Sequence, residues 1–336
     1  MLCKIDGMVY LDFADPEKLF EPFYDRYVMS LLVVGNIAFD TIARVKFLPG
    51  RNEATSIIEI KECFGGCAGN VAVIAKRLGI DSSLCSAVGE DFRGSGYEKR
   101  LRELGVDLEH LQYTEEDTAR SFMFSDDRGN QQIYYYPGAS SKLRYREMDF
   151  SRYKLVHFSA GEISVYGEMM RSAKVSGCLV SFDPGQEIFH RDVRREVIPN
   201  FENADYIFLN EHEYSYLEEK IGHRYLEDLL SGGTKAVIIS MGERGSEVYT
   251  RGYHAKVPAI KVKAIRDPTG AGDAHRAGFI TGILRGYDVV TSCRIGSVVS
   301  HYIIQEVGAQ ENVPTWEDVM KTYGAVFGDM DRDHPV

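Results

Sequence analysis

The sequence predicts an α/β protein with a doubly wound, mostly parallel sheet and helices on both faces. Two observations predict this fold: short apolar runs alternate with helical patterns, and turn residues separate them. Strands are predicted at 154–158, 178–183, 206–209 and 236–240. Helices are predicted near 163–176, near 190–200 and up to about 231. This repetition is typical of a sheet whose parallel strands are joined by crossover helices.

Other parts of the chain depart from this pattern. Residues 44–60 and 118–136 alternate polar and apolar side chains, which predicts antiparallel strands that stand off the main body as a small β lid. The sequence before the first core strand is rich in acidic and aromatic residues, and the end of the chain is polar. We therefore expect three parts: an N-terminal extension, 1–29; one core domain, 30–325; and a polar tail, 326–336.

The composition excludes several classes of protein. The chain has 336 residues, enough for one large domain, and its net charge of −11 argues against a general nucleic-acid-binding surface. No apolar run approaches a membrane span, and no signal-peptide pattern is present. The spacing of the six cysteines fits neither a zinc site nor a secreted disulfide framework. We therefore expect a cytoplasmic protein that binds neither nucleic acid nor a membrane.

The most informative motif is Asp-Pro-Thr-Gly-Ala-Gly-Asp at residues 267–273, directly before a helical pattern. A helix start without bulky side chains exposes free N–H groups, which favour a phosphate or a developing anion. Asp273 lies in the first turn and can reach that anion site. A carboxylate there makes sense if it accepts the proton of a hydroxyl that attacks phosphorus. The alternative is a glycine-rich turn that only starts a packed helix.

Two further glycine-containing turns lie beside predicted elements. Gly-Gly-Cys-Ala-Gly-Asn at 65–70 precedes a buried helix, and its glycines, Gly66 among them, allow a ligand to approach the backbone closely. Asn70 lies one turn inside that helix, where its amide could bond sugar hydroxyls. The strand at 236–240 ends in a turn that contains Gly242 and Gly245. As a bare hairpin, this second turn would indicate little.

Polar residues follow two of the predicted strands. The buried run 31–34 leads to Phe39 and Asp40. The strand at 206–209 runs into Asn210 and Glu213 at the start of a helix. An Asn followed three residues later by Glu is also the pattern of a capping box, which would satisfy the first N–H groups of the helix. A capping role does not exclude a second role for these two side chains.

Together these motifs resemble the ribokinase family, also called the PfkB carbohydrate kinase family. Its signature D-x-T-G-A-G-D matches at 267–273, and its second signature, G-G-x-x-x-N, matches at 65–70. The block Gly-Asn-Ile-Ala-Phe-Asp at 35–40 and the run Tyr-Tyr-Pro-Gly-Ala at 135–139 are similar to archaeal-type nucleoside kinases of this family. His275 departs from the family pattern, which usually has Phe there. It is either a core histidine or a group that perturbs the neighbouring carboxylate.

The resemblance implies an ATP- and Mg²⁺-dependent phosphotransferase that acts on a hydroxymethyl group of a sugar, a nucleoside or another small molecule. Asp273 would be the catalytic base, with an oxyanion hole from the amides of Gly270, Ala271 and Gly272. Thr269 would border the phosphate path. The remaining implied roles are acceptor binding by Asp40, Gly66 and Asn70, ATP contact by Asn210, Gly242 and Gly245, and Mg²⁺ binding through Glu213.

The acceptor is the open question. Asp40 suits a cis-diol because a carboxylate accepts two hydrogen bonds, although a turn-forming or capping Asp is the alternative. Phe39 and the tyrosines at 134–136 offer flat surfaces for a base, which favours a ribonucleoside, but the tyrosines could instead pack lid to lid. A sugar kinase for ribose, fructose or 2-keto-3-deoxygluconate ranks second, and a non-catalytic nucleotide- or sugar-binding homologue third. In many family members the lid strands also form a homodimer contact.

Overall fold

The computed structural model describes residues 2–5, 8–11, 30–128, 130–222 and 224–328. The strands are β1 (Leu2–Ile5), β2 (Met8–Leu11), β3 (Leu31–Val34), β4 (Ala38–Val45), β5 (Ile57–Gly65), β6 (Ser82–Gly89), β7 (Asp107–Thr114), β8 (Ala119–Ser125), β9 (Gln131–Tyr136), β10 (Leu155–Phe158), β11 (Leu179–Phe182), β12 (Tyr206–Asn210), β13 (Ala236–Ser240), β14 (Ser246–Thr250) and β15 (Tyr253–Val257). The helices of four or more residues in regular α geometry are α1 (Cys67–Arg77), α2 (Gly96–Glu103), α3 (Tyr166–Val175), α4 (Ile198–Phe201), α5 (Glu211–Ile221), α6 (Tyr225–Gly232), α7 (Ala271–Leu284), α8 (Val289–Ile303) and α9 (Trp316–Phe327).

The main sheet has nine strands in the order β15-β14-β13-β12-β11-β10-β3-β6-β7. All neighbours from β13 to β7 pair in parallel, and only the β13–β14–β15 edge is antiparallel. The central strands are continuous apolar runs because both of their faces are buried. Leu31 and Val33 of β3 enter one core, and Leu32 and Val34 enter the other. The predicted doubly wound, mostly parallel sheet is confirmed.

Helices cover both faces of this sheet, as the sequence predicts. Helices α1, α7 and α8 bury their apolar sides in one core, and α3, α5 and α6 bury theirs in the other. The helix predicted near 190–200 is shorter than expected. A single wider helical turn, Val193–Val197, precedes α4, and Pro199 in α4 has no N–H to extend the hydrogen-bond ladder backwards. Within the described ranges we find no helix whose length and hydropathy would suffice for a transmembrane span.

A second sheet of four strands, in the order β5-β4-β8-β9, forms the lid. The prediction for 118–136 coincides with β8 and β9, whereas 44–60 covers mainly the turn between β4 and β5. The turn formers explain this error: Gly50 and Asn52, the latter at φ 64°, interrupt the alternating pattern that β4 has already begun at Ala38. The lid is also not purely antiparallel, because β4 and β8 pair in parallel.

The two ends of the chain are only partly described. In the predicted extension, 1–29, β1 and β2 pair as an antiparallel hairpin. The remainder of that extension lies outside the described residues, as does the predicted tail beyond residue 328. The division into extension, core domain and tail stays a prediction.

The packing of α7 against α8 depends on two glycines. A Cβ on Gly278 would lie 2.7 Å from the Cα of Gly296, and a Cβ on Gly296 would lie 2.6 Å from the carbonyl oxygen of His275. These contacts involve backbone atoms, which cannot rotate away. Since α7 carries Asp273 in its first turn, the close approach of the two helices also fixes the position of the signature motif.

We expect Gly278→Ala to lower the free energy of unfolding by about 1–3 kcal/mol, because overpacking of a close helix contact has a cost of that size. The matched control is Gly324→Ala in α9, where nothing lies within 4 Å of the added Cβ. That change should stabilise the protein by up to about 1 kcal/mol, since Ala has the higher helix propensity. Urea unfolding of both variants measures the difference, and shifts of the same sign would contradict the packing argument.

Candidate active site

The candidate site lies at the edge of the main sheet where the parallel strands end. Asn36 follows β3, Asp183 follows β11, and Asn210 closes β12. The carboxyl ends of parallel strands meet at one edge, which is where ligands bind in open α/β sheets. The lid lies over this edge: Tyr135 of β9 accepts a hydrogen bond from Asn36 Nδ2 at 2.8 Å.

Two glycines place the lid carboxylate beside the start of α1. A Cβ on Gly65 would lie 1.9 Å from Asp40 Oδ2, and a Cβ on Gly66, at φ 82°, would lie 2.5 Å from the Cα of Ile37. Only a residue without a side chain fits either position. The turn that contains Gly66 therefore lies beside Asp40 through its neighbour Gly65. Contact of Gly66 with an acceptor stays a prediction.

Asp40 is almost fully buried, at 4% exposure. Burial raises the pKa of its carboxyl to about 7, and the negative charges of Asp273 and Asp267 add to this, while a hydrogen bond from the Ser121 side chain opposes it. Its Oδ1 has no hydrogen-bond partner in the part of the chain that the structure describes. A buried acceptor without a donor has a free-energy cost, and a ligand hydroxyl would remove that cost.

The signature turn is held by its own first carboxylate. Asp267 Oδ1 accepts from the Thr269 N–H at 2.9 Å, and Oδ2 accepts from the Gly308 N–H at 2.9 Å. Gly270 is the N-cap of α7 at φ 77°, and a Cβ there would lie 2.2 Å from the Cβ of Ala309. Asp267 was recognised from the motif, but its tie to Gly308, 41 residues away, was not.

The predicted oxyanion hole is partly engaged within the turn. The Ala271 N–H donates to the Pro268 carbonyl at 3.1 Å, so it is not a free donor in this state. This contact argues against Ala271 as a member of the hole. Gly272 lies at the exposed start of α7, beside Gly270. The role of the Gly270 and Gly272 amides stays a prediction.

Asp273 lies three residues past the N-cap and is bound from a second helix. Asn70 Nδ2 of α1 donates to Asp273 Oδ2 at 2.7 Å. Burial raises the pKa of the Asp273 carboxyl to about 6, and the Asn70 hydrogen bond and the Arg276 charge limit the rise. Asn70 was predicted to bind sugar hydroxyls. Its side chain donates to the candidate base, and contact with an acceptor stays a prediction.

An ion pair that the sequence did not reveal lies beneath this carboxylate. Arg276 Nε donates to Asp183 Oδ2 at 2.7 Å, and both side chains are buried. Arg276 follows Asp273 by three residues in α7, and Asp183 follows β11 at the carboxyl edge of the sheet. An Asp directly after a buried strand was the available signal for Asp183.

Asn210 and Glu213 form the capping box that was one of the two interpretations. Asn210 Oδ1 accepts from the N–H groups of His212 and Glu213, and Glu213 Oε2 accepts from the Asn210 N–H at 2.8 Å. Burial, followed by the charge of Asp183, raises the pKa of Glu213 to about 7. The capping interpretation is confirmed, and the phosphate and metal roles stay predictions.

The turn with the other two predicted glycines lies beside α5. Gly242 and Gly245 flank the β13–β14 turn at φ 57° and 88°, and a Cβ on Gly245 would lie 2.0 Å from the Val257 carbonyl oxygen. Arg244 of this turn pairs with Glu211 in the first turn of α5. The structure therefore brings this turn next to the capping box, and its contact with ATP stays a prediction.

The lid aromatics divide between its two faces. Asp40, Ser121 and Tyr135 are opposite one another on β4, β8 and β9 and so share the face toward the site. Phe39, next to Asp40, must point to the opposite face. Its ring packs at 6.2 to 6.4 Å from three aromatic rings: Phe64, Phe92 and Tyr97. Base stacking by Phe39 stays a prediction, and this packing argues against it.

His275 is a core histidine. It is 7% exposed, and neither ring nitrogen has a hydrogen-bond partner among the described residues. Burial, followed by the Arg276 charge, lowers its pKa to about 3, so the ring is neutral near pH 7. A neutral ring packed on the Gly296 backbone can replace the Phe of the family without placing a charge beside Asp273.

Comparisons with known proteins agree with this geometry. The nucleoside kinase of Methanocaldococcus jannaschii is 33% identical over 297 residues, which are 87% of this chain and 96% of that protein. Its crystal structure, of an archaeal member of the ribokinase family, has a TM-score of 0.81 at 32% identity and covers 88% of this chain and 98% of that chain. The nucleoside kinase of Methanothermobacter thermautotrophicus is 35% identical over 303 residues, 89% of this chain and 97% of that protein.

A bacterial structure is similar over the same range. The Burkholderia thailandensis nucleoside kinase in complex with inosine has a TM-score of 0.81 at 27% identity, and covers 90% of this chain and 100% of that chain. At the family level, residues 29–316 match the pfkB family carbohydrate kinase. The chain therefore belongs to the pfkB family of carbohydrate kinases, and it is a small-molecule kinase with a ribokinase-like fold.

Proposed function

We propose that this kinase transfers the γ-phosphate of ATP to the 5′-hydroxyl of a ribonucleoside. The observation that carries the proposal is the pair of carboxylates, Asp40 and Asp273, between the lid and α7. Asp273 is held as an acceptor by Asn70, and Asp40 presents an unpartnered oxygen from the lid. The two carboxylates would bind different hydroxyls of one sugar. The names of the archaeal relatives, and the inosine in the Burkholderia structure, support a nucleoside as the acceptor.

In the proposed reaction, Asp273 accepts the proton of the 5′-hydroxyl while the hydroxyl oxygen forms a bond to the γ-phosphorus. The bond from that phosphorus to the β,γ-bridging oxygen breaks, and ADP leaves with the electron pair. The amides of Gly270 and Gly272 at the start of α7 would stabilise the charge on the transferring group. A base with a pKa of about 6 is ionised at neutral pH and can still take a proton in the transition state.

We extend the proposal to Mg²⁺, for which Glu213 and Asp183 are the nearby carboxylates. Among the described residues no group of three or more His, Cys, Asp or Glu side chains could form a metal cage. This fits Mg²⁺, which is usually held by one or two carboxylates, substrate phosphates and several waters. When bound, it would neutralise charge on the phosphates. Glu213 would act mainly through water, because both of its oxygens already accept from Asn210.

Asp273→Asn should lower kcat by about 10²–10⁴-fold, the usual contribution of a general base, while ATP still binds. Glu213→Gln is the matched carboxylate-to-amide change at the phosphate side. Its defect should diminish as Mg²⁺ is raised, whereas that of Asp273→Asn should not. A coupled ADP-release assay over a Mg²⁺ series, with ATP binding followed by calorimetry, measures both. Near-normal turnover in Asp273→Asn would show that the base is another group.

The choice of a nucleoside as the proposed acceptor depends on which aromatic ring lies on the same face of the lid as Asp40. Tyr135 does, across Ser121, and its hydroxyl is tied to Asn36 and to Ser140. A base placed next to the ribose would then lie against the Tyr135 ring. Asp40 would accept from the 2′- and 3′-hydroxyls. A sugar kinase is the second candidate, because the same diol contact would serve free ribose or fructose.

We expect kcat/KM for ribonucleosides to exceed that for ribose, fructose and 2-keto-3-deoxygluconate by about ten- to a hundredfold, the equivalent of about 1–3 kcal/mol of base stacking. Tyr135→Leu should narrow this preference, while Tyr135→Phe keeps the ring and should preserve it. Asp40→Ala should remove the penalty that a 2′-deoxynucleoside suffers with the unmodified enzyme. A coupled assay with each acceptor measures all three. Highest activity with a free sugar would overturn the nucleoside assignment but leave the kinase.

We also propose a homodimer through the outer face of the lid. This face exposes the apolar side chains of Ile60, Phe122, Tyr134 and Tyr136, at 57%, 37%, 58% and 42%. Adjoining exposed apolar residues of this kind mark contact surfaces more often than scattered ones do.

Sedimentation velocity should show a dimer that Tyr134→Lys dissociates, because an ammonium group in an apolar contact is costly. Val175 on α3 is 90% exposed and far from this face in sequence and fold, so Val175→Lys is the matched control. A monomer in the unmodified protein, or a dimer unaffected by Tyr134→Lys, would exclude this contact.

A further inference from the structure

Gln310, in the connection between α8 and α9, is 2% exposed and lies behind the candidate base. Its Nε2 donates to Asn70 Oδ1 at 3.0 Å and to the Tyr97 hydroxyl at 2.8 Å. Asn70 in turn donates to Asp273. A continuous chain of hydrogen bonds therefore runs from α2 through Gln310 and α1 to the first turn of α7.

The direction of these bonds is fixed at one end by a backbone carbonyl. The Tyr97 hydroxyl donates its one proton to the Gly65 carbonyl at 2.9 Å, and burial raises the pKa of Tyr97, so the phenol keeps that proton. The Tyr97 oxygen can then only accept from Gln310. The second N–H of the same amide goes to Asn70 Oδ1, which leaves the NH₂ group of Asn70 toward Asp273.

The position of Gln310 is fixed independently by α2. Arg100, one helical turn after Tyr97 in α2, donates from Nη2 to the backbone carbonyl oxygen of Gln310 at 2.7 Å. Helix α2 thus binds both the backbone and the side chain of Gln310. Two residues earlier, Gly308 is bound to Asp267 of the signature turn. The amide has little freedom to turn over, and the orientation of Asn70 follows from it.

We infer that Gln310 is a positioning residue, whose amide orients Asn70 so that Asp273 Oδ2 faces a donor and is held as a proton acceptor. This inference rests on the proposed role of Asp273 as the base. Gln310 itself touches neither the acceptor nor the phosphates. Its effect passes through one side chain, Asn70. It requires the Gln310 amide to donate both to Asn70 and to Tyr97.

Gln310→Glu reverses this polarity with almost no change in shape. A carboxylate would accept from both Tyr97 and Asn70, and Asn70 would then turn its carbonyl oxygen to Asp273. Two facing oxygens share a proton, so Asp273 would hold its proton to higher pH. In the unmodified enzyme, kcat/KM should decline on the acid side between about pH 6 and 7, because Asp273 and Asp40 take up protons there. In the variant this decline should move up by about one pH unit or more.

The experiment measures kcat/KM for the acceptor in four proteins from about pH 5 to 9. This range of about four units is wide enough for both limbs of the pH profile. Gln305→Glu is the matched control: it adds the same charge in the same segment, but within the described residues Gln305 Nε2 bonds the backbone carbonyl of His301 and no group of the site. It should keep the limb of the unmodified enzyme. Gln310→Met removes both donors without adding charge, and should lower kcat by about tenfold or more at every pH, because the base is no longer held in place.

Activity of Gln310→Glu that recovers at high pH supports the inference, since a structural defect from the buried carboxylate would grow as the new side chain ionises and activity would then fall with rising pH. An unshifted limb, or a loss that is constant with pH, overturns it. If Gln310→Glu fails to fold, near-normal kcat in Gln310→Met overturns it equally. These outcomes are separate from the base assignment, because an active Asp273→Asn enzyme would contradict the proposed mechanism whatever Gln310 does.

Discussion

The structure depends on one buried arrangement of charges, in which an arginine side chain neutralises carboxylates at one edge of the main sheet. Asp183 from the end of β11, Glu213 from the first turn of α5 and Asp273 from α7 lie around the buried guanidinium of Arg276. Because Arg276 and Asp273 are three residues apart on one helix, they share a face, and the helix that carries the proposed base also supplies the counter-charge. Removal of this cation would leave buried carboxylates unpaired, which is far more costly than the loss of an exposed ion pair.

The helix that carries this charge pair is positioned by contacts from outside the site. Gly278 and Gly296 let α7 lie against α8, and Gly270 lets its first turn lie against Ala309. The segment after α8 then returns to the signature turn through Gly308 and to α1 through Gln310. Asp273, the proposed base, is therefore fixed by backbone packing below and by directed hydrogen bonds beside it. Both constraints act before any substrate is present, which is the arrangement that preorganised catalysis needs.

The lid is attached to the body both by aromatic packing and by polar contacts. The Phe64 ring of β5 stacks on the Tyr97 ring of α2 at 4.7 Å. Lys61 donates to the Val307 carbonyl at 2.7 Å, Asn36 donates to Tyr135, and Met123 lies 3.7 Å from the Thr269 hydroxyl. Polar contacts of this kind can exchange for water at low cost, unlike the apolar packing within the main sheet. Asp40 lies on the lid strand β4, so if it binds the acceptor as proposed, acceptor binding and lid position would be linked through that strand.

The sequence was sufficient for those parts of the site whose chemistry is local. Local residues alone predict the structure of four segments: the runs at 31–34 and 206–209, the turn at 65–70 and the signature at 267–273. It was not sufficient for the partners of these motifs: Asn70 and Asp273 are 203 residues apart, and Gln310 and Asn70 are 240 apart. No local pattern encodes such distances. The face of the lid on which each aromatic residue lies depends on the parallel pairing of β4 with β8. The alternation of polar and apolar residues alone does not predict that pairing.

Asp40 shows what this arrangement costs the free protein. Its pKa rises from about 3.9 in an unfolded chain to about 7 in the folded one, mainly because it is buried. Between these two values the folded protein binds a proton that the unfolded chain does not, so the free energy of unfolding falls as pH rises through this range. Above it, the folded protein carries the full cost of a buried charge with an unpartnered oxygen. Hydroxyl groups that donate to that oxygen would recover part of this cost, so the same burial that destabilises the free protein would strengthen the proposed binding of a diol.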